Sequence, residues 1–187
     1  KPHDYDYSIA HQAGVVIEVI NALMLPQCHI YGHSMGGSIA IEVAARLRER
    51  VGKLVFSEPN FYAGGGEYSR IIVEQPESEF VSKVYDQMLA NHSSPWKGSA
   101  QLAAPWAMWR GAKSLVDGAS PSWMETFLGL SCSCALIFGE HSLPDKDFQY
   151  VSDKHIPVAV IPQAGHSMSW ENPSALAEAL NKEFSPG

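Results

Sequence analysis

The chain of 187 residues lacks most of what would tie it to a membrane, a nucleic acid or a metal. No apolar run approaches the roughly 18 to 20 residues of a membrane span. Thirteen Lys and Arg stand against 20 Asp and Glu, a net charge of −7, and no basic cluster interrupts that balance, which argues against nucleic acid as a partner. Cysteine is scarce. The count of three is odd, and Cys132 and Cys134 are expected on opposite sides of an extended segment, so neither a disulfide framework nor a metal site is expected. Cytoplasmic residence is the resulting expectation. Repeats, low-complexity tracts, phosphate loops and metal-ligand spacings are all missing, so no cofactor is implied. What the chain does have is 45% hydrophobic content, enough for one domain plus an insertion to bury a core.

Residues 30 to 37, Ile-Tyr-Gly-His-Ser-Met-Gly-Gly, set a serine between glycines where an apolar run, Cys28 to Tyr31, gives way to a helical pattern. A strand that turns sharply into a helix leaves its corner residue strained, and side chains two positions before and after would collide. Gly32 and Gly36 remove them, and Gly37 lets the helix lie close to the sheet. Ser34 then stands at the carboxyl end of a strand and the N-terminus of a helix, where main-chain N–H groups, that of Met35 first, can stabilise an oxyanion. In the helix from Met35 to Arg50, Ile39, Val43 and Leu47 recur every fourth position, with Gly52 following. The next strand, Leu54 to Ser57, ends at Glu58-Pro59-Asn60. Strand, elbow, helix and strand form one parallel crossover unit, which places Ser34 and Glu58 at the same ligand-binding edge of the sheet.

A serine hydroxyl needs a base. Of eight histidines, His166 follows the apolar strand Val158 to Ile161 through Pro162-Gln163-Ala164-Gly165 and precedes a helix opened by Asn172-Pro173-Ser174, again the carboxyl end of a strand. His3 and His11 lie near the open N-terminus, His92 and His155 in polar turns, His29 within a strand and His141 in a loop. His33 adjoins Ser34 and is a candidate substrate contact.

These pieces together resemble the α/β-hydrolase superfamily. The resemblance rests on Gly32-His33-Ser34-Met35-Gly36-Gly37, on the late Ala164-Gly165-His166 with Glu171-Asn172-Pro173, and on the strand Ala135 to Phe138 ending in Gly139-Glu140, in the family's order over nearly the whole chain. It implies a mostly parallel sheet flanked by helices, a nucleophilic Ser34 and His166 as general base. In most such enzymes the third member is an aspartate three residues after the glycine closing the next-to-last strand, and here that position is Ser142. A hydroxyl cannot compensate an imidazolium. Glu58, at the end of the strand after the nucleophile helix, resembles the acid position of haloalkane dehalogenases and some epoxide hydrolases; Asp145 is the alternative, with Glu140 and Asp147 behind it. Those relatives carry an aspartate nucleophile, whereas Ser34 points to acyl transfer.

Residues 61–131 interrupt the strand and helix alternation. Helical patterns near Glu77 to Ala90, Pro105 to Val116 and Pro121 to Leu130, with four of the five tryptophans, read as a helical cap over a core of residues 1–60 and 132–187. Trp96, Trp106, Met108, Trp109, Trp123, Met124 and Phe127 are expected on an apolar wall suited to a small hydrophobic acyl or ester substrate. The chain opens without methionine on an amphipathic helix from about Ser8 to Leu25, with Ile9, Ala13, Val16, Ile17, Ile20 and Leu23 inward. In the superfamily that helix follows several strands; their absence, and that of the loop completing the oxyanion hole, points to a partial sequence of a longer protein, the alternatives being strands supplied by another chain or a reduced form with weakened chemistry. The expected activity is a serine esterase. The alternatives are a ligand-binding or interaction protein on the same fold and a hydrolase of carbon–carbon bonds.

Overall fold

The computed structural model describes residues 1–91 and 96–185; His92 lies outside them. Helix α1, Ile9–Ala22, starts where the Ser8 hydroxyl accepts from the His11 N–H. Strand β1, Cys28–His33, leads through Ser34 into α2, Met35–Leu47, and a short 3-10 turn returns the chain to β2, Val51–Ser57. Helices α3 (Glu67–Val73), α4 (Glu77–Glu79), α5 (Tyr85–Asn91), α6 (Trp96–Gln101), α7 (Pro105–Asp117) and α8 (Trp123–Leu128) follow, a π-helical stretch, Phe80–Val84, joining α4 to α5. Strand β3 (Ser133–Gly139), α9 (Lys146–Asp153), β4 (Val158–Ile161), α10 (Met168–Glu171) and α11 (Pro173–Phe184) complete the order.

The four strands form one parallel sheet in the order β1-β2-β3-β4. Parallel pairing aligns all carboxyl ends on one edge, and crossover helices must lie on the faces. Alternation along β2 shows the result. Leu54 and Phe56 point to one face, packing with Ile41, Val43, Leu136 and Phe138; Val55 points to the other, with Ala135, Ile137, Ile161 and Leu176. Burial of each such Leu, Ile or Phe contributes roughly 1.5–3 kcal/mol, which fixes the register and hence the positions of the strand ends.

Helix α1 is shorter than expected, ending at Ala22. Ile9, Ala13 and Ile20 are buried and Ile17 packs against them, but Val16 and Leu23 are exposed, because α1 meets α2 and α7 with one face only. The 61–131 segment, the proposed cap, is rooted in the body at both ends: Phe61, Trp123, Met124 and Phe127 lie in the main core, with Phe61 and Phe127 stacked at 5.5 Å. Its middle forms a separate cluster around Ile72, Phe80 and Ala112. Cys132 and Cys134 do not diverge as expected. Their sulfurs are 3.9 Å apart, because Cys132 precedes β3 on a bend where strand alternation does not apply. No helix among the described residues is long and apolar enough to cross a membrane.

Candidate active site

Between β1 and α2 the chain turns on Ser34, which has φ 52° and ψ −122°, a conformation that costs a non-glycine residue on the order of 1–3 kcal/mol. Neighbouring packing sustains it. The Ser34 N–H donates to the Ser57 carbonyl at 2.9 Å, tying the corner to β2. A Cβ at position 32 would overlap the Gly36 carbonyl oxygen, and one at position 37 would lie 2.5 Å from the Cβ of Pro59. Gly36, expected to be just as constrained, is not: a Cβ there meets nothing within 4 Å outside its own helix. The crowding at the elbow falls on Gly32 because that residue faces the Gly36 backbone.

The Ser34 hydroxyl makes no cap bond to α2. It lies 3.0 Å from His166 Nε2, and His166 Nδ1 lies 2.6 Å from Glu58 Oε2. An ionised Glu58 can only accept, so the proton of the neutral imidazole sits on Nδ1; the bare Nε2 then accepts from Ser34. Three side chains from the ends of β1, β2 and β4 are thereby in line. Glu58 also has a positive φ, 40°, and its Oε1 accepts from the Gly139 N–H at 2.8 Å. Burial alone would raise its carboxyl. Hydrogen bonds from His166, Gly139 and Ser142 outweigh that and hold the pKa below the usual carboxylate range. Ser142, standing where the superfamily usually places its acid, thus supports the carboxylate that faces His166.

The other acids are engaged elsewhere. Asp145 caps α9, its Oδ1 accepting from Asp147 and Phe148 at 2.8 and 2.9 Å, and Glu140 accepts from the Gln163 N–H at 2.8 Å. Asp147 is half-buried beside Asp145, and burial first, then that neighbour, raises its carboxyl.

A cavity of about 540 Å³ opens over Ser34 and His166. His33 and Met35 line it as expected, Met35 as the first residue of α2, where N–H groups have no intrahelical acceptor. Three of the tryptophans expected on its wall do not. Trp123 is 1% exposed in the main core, with its indole N–H on Glu42; Trp109 donates to the Gln75 carbonyl at 2.9 Å; Trp106 packs against His3, 5.1 Å between ring centroids. Helical rotation turns these rings away from Ser34 and onto neighbouring segments of the chain. The wall is built by Trp96 and Met108, both expected there, with Tyr68, Ile72 and Trp170, while Met124 and Phe127 lie in the main core. Tyr68 sits on a helix of seven residues, too short to show a period in the sequence; no signal marked Ser57, whose partners are distant in the chain, and Ser142 stood out only as the place of a missing acid.

Comparisons with known proteins bear on the fold and the family. A model of the alpha/beta hydrolase family matches residues 1–179. The chain belongs to that family. A relative, RutD of Variovorax paradoxus (strain S110), whose name describes a carbamate hydrolase, is 34% identical over 64 residues, 32% of this chain and 24% of that protein. The chain thus matches about a quarter of that relative's length. Among solved structures, a thermophilic esterase from Thermogutta terrifontis superposes with a TM-score of 0.73 at 19% identity, covering 94% of this chain and 71% of that one. An esterase from Exiguobacterium antarcticum gives 0.72 at 17%, covering 95% and 74%. At such identities the likeness is one of fold.

Proposed function

We propose that the chain is a serine hydrolase acting on an ester or related acyl compound through an acyl-enzyme. The observation that supports this is the continuous path from Ser34 Oγ to His166 Nε2 at 3.0 Å and from His166 Nδ1 to Glu58 at 2.6 Å, beside a cavity. Ser34 Oγ attacks the acyl carbon as its proton passes to His166 Nε2, and Glu58 stabilises the imidazolium. The Met35 N–H binds the oxyanion. Collapse expels the alcohol, which takes the proton from His166; water then repeats the sequence and frees the acid. A cavity walled by Ile72, Met108 and aromatic rings favours a small hydrophobic acyl group. Carbamates, the compounds in RutD's name, have the same electrophilic carbonyl and fit the same scheme.

The test is turnover of short p-nitrophenyl esters. Wild type should hydrolyse them, while Ser34→Ala and His166→Ala should each lose at least several orders of magnitude, because the two residues act as a unit. Substantial turnover by purified Ser34→Ala would rule out the nucleophile.

A further inference from the structure

His33 and Ser57 end adjacent strands and stand opposite one another in the β1–β2 register. Ser57 is fully buried, and its hydroxyl oxygen lies 2.7 Å from the Tyr31 hydroxyl and 2.8 Å from His33 Nδ1. A serine hydroxyl has one proton, so this row of three groups has a direction. A phenol is the better donor and an imidazole nitrogen the better acceptor. The row therefore runs from Tyr31 O–H to Ser57 Oγ and from Ser57 O–H to His33 Nδ1, each bond polarising the next. With Nδ1 accepting, the proton of the neutral ring lies on Nε2.

The ring stays neutral near neutral pH: desolvation first, then the adjacent His166, push its pKa down to about 4 against the opposing pull of Glu58 and the Ser57 backbone. Those groups, with Tyr31 behind Ser57, are the titratable and polar neighbours of the ring.

His33 lines the cavity and Ser57 does not. The edge away from Nδ1, which carries Nε2–H, is consequently the one presented to substrate. His166 cannot take this hydrogen bond in the ring plane, since its two nitrogens are held by Ser34 and Glu58. The rings of His33 and His166 are 4.7 Å apart, so the donor flanks the group that hands a proton to the departing alcohol. Resting on the serine-hydrolase reading, we propose that His33 Nε2–H binds a second oxygen on the alcohol half of the substrate. The favoured substrates are then esters whose alcohol carries an ether, carbonyl or hydroxyl oxygen a few bonds from the scissile one.

The test compares two nearly isosteric propionate esters, 2-methoxyethyl and n-butyl, in wild type, His33→Asn and His33→Gln. The Asn amide oxygen can still take the Ser57 proton, but no donor then reaches the Nε2 position; the Gln amide reaches it. A neutral hydrogen bond is worth roughly 0.5–1.5 kcal/mol, so the kcat/KM ratio of methoxyethyl to butyl ester should be roughly three- to tenfold larger in wild type than in His33→Asn, with His33→Gln recovering part of it. Intrinsic ester reactivity cancels in this comparison. Equal ratios in wild type and His33→Asn would overturn the proposal. Independently of any turnover, 15N NMR of the wild-type chain should show His33 protonated at Nε2 and bare at Nδ1 near neutral pH; the opposite tautomer would overturn it too. Failure of the hydrolase reading looks different, as neither ester would be cleaved and Ser34 would resist a fluorophosphonate.

Discussion

Ser34 and Glu58 share a backbone state that side chains rarely adopt, with φ values of 52° and 40°. Each ends a strand, and each is turned back toward His166 by that φ. If Glu58 orients His166, Glu58→Gln should preserve the fold and cut turnover severely, because an amide neither stabilises imidazolium nor enforces the productive tautomer. Asp145→Asn should change turnover little, since Asn caps a helix about as well as Asp, while Asp145→Ala should cost about 1 kcal/mol of stability through the lost cap of α9. Steady-state kinetics beside denaturant melts of the three variants separate these effects, and the reverse ranking of Glu58→Gln and Asp145→Asn would reassign the acid. His33 gives a pH test. Its folded pKa, about 4, lies below the ordinary 6.5, so the unfolded chain takes up its proton first and the folded state loses stability as pH falls from about 6.5 to about 4, by roughly 3 kcal/mol at most. Glu58, also lowered, adds a loss that sets in as pH falls through the ordinary carboxylate range and continues below it. The stability advantage of wild type over His33→Asn should therefore shrink between pH 7 and 4, read from denaturant midpoints; a constant difference would mean that His33 is not buried as a neutral ring.

At the scale of elements, the elbow depends on how closely α2 approaches β1. Gly32→Ala should abolish turnover and destabilise the fold, because the new methyl overlaps the Gly36 backbone, whereas Gly36→Ala meets open space and gains helix propensity. Thermal melts decide it, and equal effects would refute the packing asymmetry. This unit was legible in the sequence because its signals are local: a strand, a glycine-flanked serine and a helix with a four-residue repeat lie within about thirty residues, and His166 likewise follows its own strand. Glu58 could only be ranked against Asp145, since the φ that aims its carboxylate is not written in Glu-Pro-Asn. The cavity wall was less legible still. A helix of seven residues, such as that bearing Tyr68, shows no period, and which side of α7 faces Ser34 depends on packing with α3, which lies far along the chain.

Across the whole molecule, two surfaces stand open. Among the described residues β1 pairs with β2 alone, and α1 with its capping residue Leu23 exposes Val15, Val16, Val19 and Leu23, the last at 62%. An unpaired strand edge and an apolar stripe favour association. Residues 1–187 should self-associate with rising concentration, and Val19→Lys with Leu23→Lys should shift light scattering toward the monomer; a wild type that stays monomeric throughout would contradict this. The sheet nonetheless brings three distant strand ends together, and on that convergence the proposed chemistry rests. Its most direct measurement is intact-mass analysis with peptide mapping after fluorophosphonate treatment. A single adduct on Ser34 is expected in wild type, absent in Ser34→Ala and strongly slowed in His166→Ala and Glu58→Gln; no adduct, or one on another serine, would contradict a nucleophile activated by His166 and Glu58.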